Sequence, residues 1–201
     1  CPQDCTPEKA TESSGSQKST KNQKVSLITA SATVDYSKDL GVFSPYLFGI
    51  NQPGGLKAYT AKAAALAGFK FGTSGGVPPM ANPKDANDPS NYSFFPAMDE
   101  EIATTFKAGI EPQVIFGVLL PKQDIDQLSI YVKRVATHLR NTKWPNNGKI
   151  NVIRCGNEPD NPIFWTGTQE DFFKSYAAFA KSVKAVDTNF ILDAPGLMIG
   201  D

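Results

Sequence analysis

Ile150-Asn151-Val152-Ile153-Arg154-Cys155-Gly156-Asn157-Glu158-Pro159-Asp160 is the most telling stretch of the chain. Its first half, Ile150 to Cys155, is a short apolar run of strand character. Its second half cannot prolong that strand, because Pro159 has no N–H for the ladder and forces the chain into a loop. A carboxyl group, Glu158, and a carboxamide, Asn157, are therefore placed at the carboxyl end of a predicted strand. Working outward, the texture is of β-rich runs alternating with helical periods. Downstream, Phe172, Tyr176, Phe179 and Val183 form one helical face, and Ile191 to Ala194 starts another strand. Upstream, Leu128, Val132, Val135 and Leu139 are spaced by four, three and four, which puts them on one side of a helix.

The same alternation continues toward the amino terminus. Strands are expected at Leu47 to Asn51, Phe69 to Thr73 and Ile110 to Leu120, with helices from Lys57 to Ala67 and from about Met98 to Ala108. The nearly continuous apolar character of Val114, Ile115, Phe116 and Val118 suits a parallel strand covered on both faces. Successive βα units of this kind build either an open doubly wound sheet or an eight-stranded (β/α)8 barrel, and periodicity does not choose between them. A nucleotide-binding sheet requires Gly-x-Gly-x-x-Gly directly between strand and helix. Gly49 with Gly54-Gly55, and Gly72 with Gly75-Gly76, lack that spacing and read as turn glycines.

Composition narrows the function classes. The chain has 201 residues, 40% hydrophobic, enough for a substantial core. Twenty basic residues balance twenty acidic ones, so no global field recruits nucleic acid or an anionic membrane. No apolar stretch approaches the ~18 residues of a membrane span. Three cysteines and one histidine, His138, do not assemble a Cys/His metal cage, and a Ser-His-Asp triad would have to use His138. No cofactor or metal is expected. From Thr6 to Lys24 the residues are almost all polar, which reads residues 1–24 as a flexible tether and 25–201 as the folded domain. Cys1 ahead of such a tether has the form of an acylated lipoprotein terminus, with an arbitrary start or a Cys1-Cys5 loop as the plainer alternatives.

The segment from Gly156 to Asp201 resembles glycoside hydrolase family 39, within the clan of retaining (β/α)8 barrel glycosidases whose fourth strand ends in Asn-Glu. The resemblance rests on Asn157-Glu158-Pro159-Asp160, Phe164-Trp165 with Gly167, Asp171 to Tyr176, Lys184 to Asp187 and Ala194-Pro195. Ile110-Glu111-Pro112, Gly117 to Pro121 and Ser44 to Asn51 look like earlier strands of such enzymes, so the similarity is patchy from about Val34 onward. It implies an α/β fold of the TIM-barrel type, present as an incomplete barrel of about strands one to five. It implies Glu158 as general acid/base and Asn157 as the group on the sugar 2-hydroxyl, acting on a β-linked oligo- or polysaccharide. Trp165, with Phe164, is a candidate stacking platform for a sugar ring, or else a packed loop anchor.

Departures from the family pattern limit what is implied. A retaining enzyme needs a second carboxylate about 5–5.5 Å from the first, and the clan carries it on the seventh strand. Asp160 and Asp193 do not match that position. Gly156 replaces a bulky aromatic, and the second strand lacks an arginine often found there. A closed barrel takes about 250 residues, so an amino-terminal portion is expected, lacking the nucleophile and inactive alone, with the missing barrel half supplied by downstream sequence or another chain. Export to the cell surface or beyond goes with this reading. The rivals are a noncatalytic carbohydrate-binding or surface protein on the same fold, and an oxidoreductase on an open sheet. Asn91-Tyr92-Ser93 forms a glycosylation sequon, and Cys155 is expected to be a small buried hydrophobe rather than a nucleophile.

Overall fold

The computed structural model describes residues 49–51, 57–117 and 124–196. The predicted tether, Cys1, Cys5, Gly54-Gly55 and the stretch from Val118 to Gln123 lie outside the described residues. The elements run β1 Gly49–Ile50, α1 Ala58–Leu66, β2 Phe71–Val77, α2 Phe95–Lys107, β3 Glu111–Phe116, α3 Ile125–Asn141, β4 Val152–Cys155, α4 Gln169–Val186 and β5 Ile191–Asp193. The strands form a five-stranded sheet in the order β1-β2-β3-β4-β5, with every neighbouring pair parallel. Sequential order in a parallel sheet, each strand followed by a helix, is the order of a (β/α)8 barrel rather than of a doubly wound sheet, whose strand order reverses at a switch point.

Alternation along the strands separates two faces. Val114, Phe116, Ile153 and Cys155 face the helices and join Ile102, Phe106, Val132, Val135, Leu139, Phe179 and Val183 in one core. Phe116 and Phe179 meet edge to face, with ring centroids 4.9 Å apart. Each such side chain contributes about 1.5–3 kcal/mol by leaving water. The helices start on chemical signals: Asp124 accepts from the N–H groups of Asp126 and Gln127 at the start of α3, and Thr168 accepts from Asp171 N–H at the start of α4. Among the described residues, no helix is long and apolar enough to cross a membrane.

One reading of the sequence needs correction. Gly75 and Gly76 are not turn glycines: β2 continues through them to Val77, with a register shift between Thr73 and Gly76. Gly75 takes φ +81°, and a Cβ there would sit 2.9 Å from Ile102 Cδ1, so the bulge and the close approach of α2 both require glycine. Gly49 and Gly72 likewise lie within β1 and β2. The Asn91 sequon is sealed: Asn91 is buried and its side-chain amide donates to the carbonyls of Asn82 and Asp85. It serves as the hub of the loop between β2 and α2.

Candidate active site at the carboxyl end of the fourth strand

The chain leaves β4 through two residues with left-handed backbone, Gly156 at φ +77° and Glu158 at φ +41°. Gly156 N–H donates to Phe116 O at 2.8 Å, which extends the β3–β4 ladder one residue past the strand. A side chain at Gly156 would also reach Phe172, whose Cε2 lies 3.4 Å from the position of a Cβ. That backbone conformation favours glycine at this position. Glu158 N–H then donates to Gly196 O at 3.0 Å, tying the turn to the segment after β5.

The Glu158 turn is closed from the far side by Asn161. Asn161 N–H donates to Glu158 O at 2.9 Å, and its side-chain amide donates to Glu158 Oε2 at 3.1 Å. Asn161 is buried, and its Oδ1 in turn accepts from Ile163 N–H at 3.0 Å. A non-glycine residue in left-handed conformation carries a cost of about 1–2 kcal/mol, offset here by this hydrogen-bonded loop. The result holds a half-buried carboxylate at the strand end, next to half-buried Asn157.

Asn157 and Glu158 line a cavity of about 800 Å³ whose walls also include Asn51, Thr73, Glu101 and Phe164. The carboxyl ends of β1 to β4 thus converge on one space, with α2 contributing Glu101. Beneath it, a polar row crosses the sheet. Thr73 Oγ1 donates to Asn51 Oδ1 at 3.1 Å, while Gln113 Nε2 and Arg154 Nε both donate to Asp193 Oδ2, at 2.6 and 2.7 Å. Asp193 is thereby engaged by an arginine and an amide, and Asp160 is exposed at the loop surface.

Trp165 is placed elsewhere. It is 6% exposed, its Nε1–H donates to Thr168 O at 3.0 Å, and its ring meets Phe172 edge to face at 5.4 Å. It lines a second, aromatic cavity of about 590 Å³ with Phe172, Phe173, Tyr176 and Pro195. Phe164, not Trp165, shares the space with Glu158. Cys155 is fully buried and burial pushes its thiol up, so the thiolate is disfavoured. His138 lies on α3, 2.8 Å from Asp99 Oδ1 and stacked on Phe95 at 3.9 Å, outside both cavities.

Glu101 is the functional candidate that the sequence reading missed. It accepts a hydrogen bond from Gly75 N–H at 3.3 Å. Burial raises its carboxyl above the ordinary glutamate range, opposed by the Gly75 bond and reinforced by the charge of Glu100. Asp99-Glu100-Glu101 has the look of a solvated helix face, and only the paired strand glycines opposite could have signalled otherwise. Among the described residues, no group of three His, Cys, Asp or Glu is placed to hold a metal ion.

No protein-family model and no curated protein sequence matches the chain. The fold is similar to those of solved glycosidases. A glucosidase from Croceicoccus marinus aligns with a TM-score of 0.59 and 20% identity over 75% of this chain and 37% of that one. Thermotoga maritima Cel5A in complex with cellobiose aligns at 0.53 and 17%, over 73% of this chain and 50% of that one. The same enzyme in complex with mannotriose aligns at 0.54 and 16%, over 76% and 53%. The chain therefore spans between 37% and 53% of the length of these structures. At such identities the likeness establishes the fold, an incomplete (β/α)8 barrel of the kind that glycoside hydrolases use.

Proposed function

We propose that the protein is a retaining glycoside hydrolase of the clan that includes family 39, acting on a β-linked saccharide, with Glu158 as general acid/base. The observation that carries this reading is the placement of Glu158. It is a half-buried carboxylate at the carboxyl end of β4, locked by Asn161 and opening with Asn157 into the cavity shared by the strand ends. Carboxyl ends of barrel strands are where such chemistry is assembled.

In the proposed reaction Glu158 gives its proton to the glycosidic oxygen as the bond to the anomeric carbon breaks. A second carboxylate bonds that carbon from the opposite face. Glu158 then takes a proton from water, whose oxygen displaces the carboxylate and releases the sugar. Asn157 grips the 2-hydroxyl, a contact that tightens as positive charge develops on the ring. The second carboxylate is the one that this clan carries on the seventh strand of a complete barrel. The saccharides bound by the structural neighbours, cellobiose and mannotriose, are natural first probes. Export, with Cys1 as a lipid attachment point, belongs to the same proposal.

The test is a paired measurement on β-linked oligosaccharides. In the complete barrel, wild type should bind and cleave at least one, and Glu158→Gln should bind it with similar affinity while losing at least about 100-fold in kcat. Binding without cleavage by wild type would favour a noncatalytic carbohydrate-binding protein on this fold. Binding of NADH instead would overturn both.

A further inference from the structure

We propose that Glu101 is a specificity-determining residue of this pocket, selecting uncharged glycosides against those that carry a carboxylate. The inference rests on the saccharide-site reading above and names the substrate class that the site would accept.

The geometry begins in β2. Gly75 and Gly76 remove two side chains from the strand at the rim of the cavity, and a Cβ on Gly76 would meet nothing within 4 Å. Through that opening α2 presents Glu101 to the same space as Glu158. Helix α2 has little freedom to withdraw it, because Met98, Ile102 and Phe106 are buried along its inner face. Gly75 N–H, turned toward the helix by the bulge, holds Oε2. Among the described residues Oε1 accepts no hydrogen bond, which leaves it available to a sugar hydroxyl.

The charge inventory of the walls gives the selectivity. The described lining includes two carboxylates, Glu101 and Glu158, with hydroxyl and amide groups from Thr73, Ser74, Asn51 and Asn157, and no lysine, arginine or histidine. Arg154, the cation nearest to Glu158 in sequence, is held by Asp193 through its Nε. In the form competent for the first step Glu158 carries its proton, so Glu101 is the negative group of the described lining, with no cation among the described lining residues to offset it. The lining offers good acceptors to the hydroxyls of a neutral sugar. A uronic acid ring brings its own carboxylate next to that of Glu101, where like charges repel far more strongly than in water.

Matched pairs of 4-nitrophenyl β-glycosides test this on the complete barrel: glucoside against glucuronide, and galactoside against galacturonide. Wild type should favour the neutral member of the cleaved pair by about 100-fold or more in kcat/KM. Glu101→Gln keeps an acceptor for Gly75 N–H but removes the charge, and should narrow that ratio about tenfold, mainly through a lower KM for the uronide. Glu101→Asp keeps the charge and should keep the discrimination. In wild type the ratio should also fall as salt rises, a readout that needs no variant to fold. Gly76→Ala adds bulk to the same wall without charge and should affect both members alike. A ratio unchanged in Glu101→Gln and insensitive to salt, with the neutral glycoside still cleaved, would overturn the role of Glu101 alone. A wild type that prefers the uronide would do the same. Failure to bind or cleave any member of either pair would overturn the saccharide-site reading as well.

Discussion

Asn161 holds Glu158 at two points, its backbone N–H on the Glu158 carbonyl at 2.9 Å and its side-chain amide on Glu158 Oε2 at 3.1 Å. Backbone turn and side-chain rotamer are thus set by one buried residue. Asn161→Ala keeps the first bond and loses the second, along with the Oδ1 contact to Ile163. We expect a drop in kcat of about tenfold to 100-fold with a smaller change in KM, because the acid is misaimed rather than the sugar lost. Stability should fall by about 1 kcal/mol. Steady-state kinetics and urea unfolding check the two parts separately.

The left-handed backbone at Glu158 sets function against stability. Glycine has no Cβ penalty at φ +41°. Glu158→Gly should therefore abolish hydrolysis while leaving stability equal to wild type or up to about 1 kcal/mol higher. Glu158→Val, β-branched, should be clearly destabilised. Equal unfolding midpoints for the two variants would contradict the strain.

Gly148 is a packing glycine. A Cβ there would stand 2.5 Å from Phe106 Cδ1 and 2.8 Å from its Cζ, in a core closed by Trp144. Gly148→Ala should cost about 1–3 kcal/mol by overpacking, a loss visible as a lower thermal midpoint. A neutral outcome would mean that Phe106 can swing aside.

Glu101 makes stability depend on pH in a definite direction. Its folded value lies above the ordinary 4.5, chiefly through burial, with Glu100 as the neighbouring charge that adds to it. The folded state therefore holds this proton more tightly than the unfolded chain does. The stabilisation is fully present below about pH 4.5 and is lost as pH rises through the folded value. Glu101→Gln cannot ionise, so relative to wild type it should look more stable at pH ~7 than at pH ~4. Denaturant unfolding at the two pH values checks this, and a difference independent of pH would contradict it.

What could be read from sequence was what local pattern decides. The strand ending at Cys155 is an apolar run stopped ahead of Pro159, and the faces of α3 and α4 follow from spacing, so the sheet and its helices were legible. Asn157 and Glu158 came with the strand end. The strand glycines were not legible, because Gly75-Gly76 ahead of Pro78-Pro79 has the texture of a loop, and the partner that demands glycine, Ile102, comes from another element. Glu101 was hidden for the same reason, since its exposure to the cavity depends on what β2 lacks. Trp165 left two readings open in sequence. Its burial against Phe172 and its bond to Thr168 are tertiary facts that no spacing encodes.

The role of Glu158 is tested most directly by the dependence of hydrolysis on the leaving group. A general acid matters when the departing oxygen needs a proton and hardly at all when it leaves readily as an anion. Glu158→Gln should lose at least about 100-fold in kcat/KM on an alkyl β-glycoside or disaccharide, yet keep most of its kcat/KM on the 2,4-dinitrophenyl glycoside of the same sugar. Equal losses on both substrates, or none on either, would contradict the assignment.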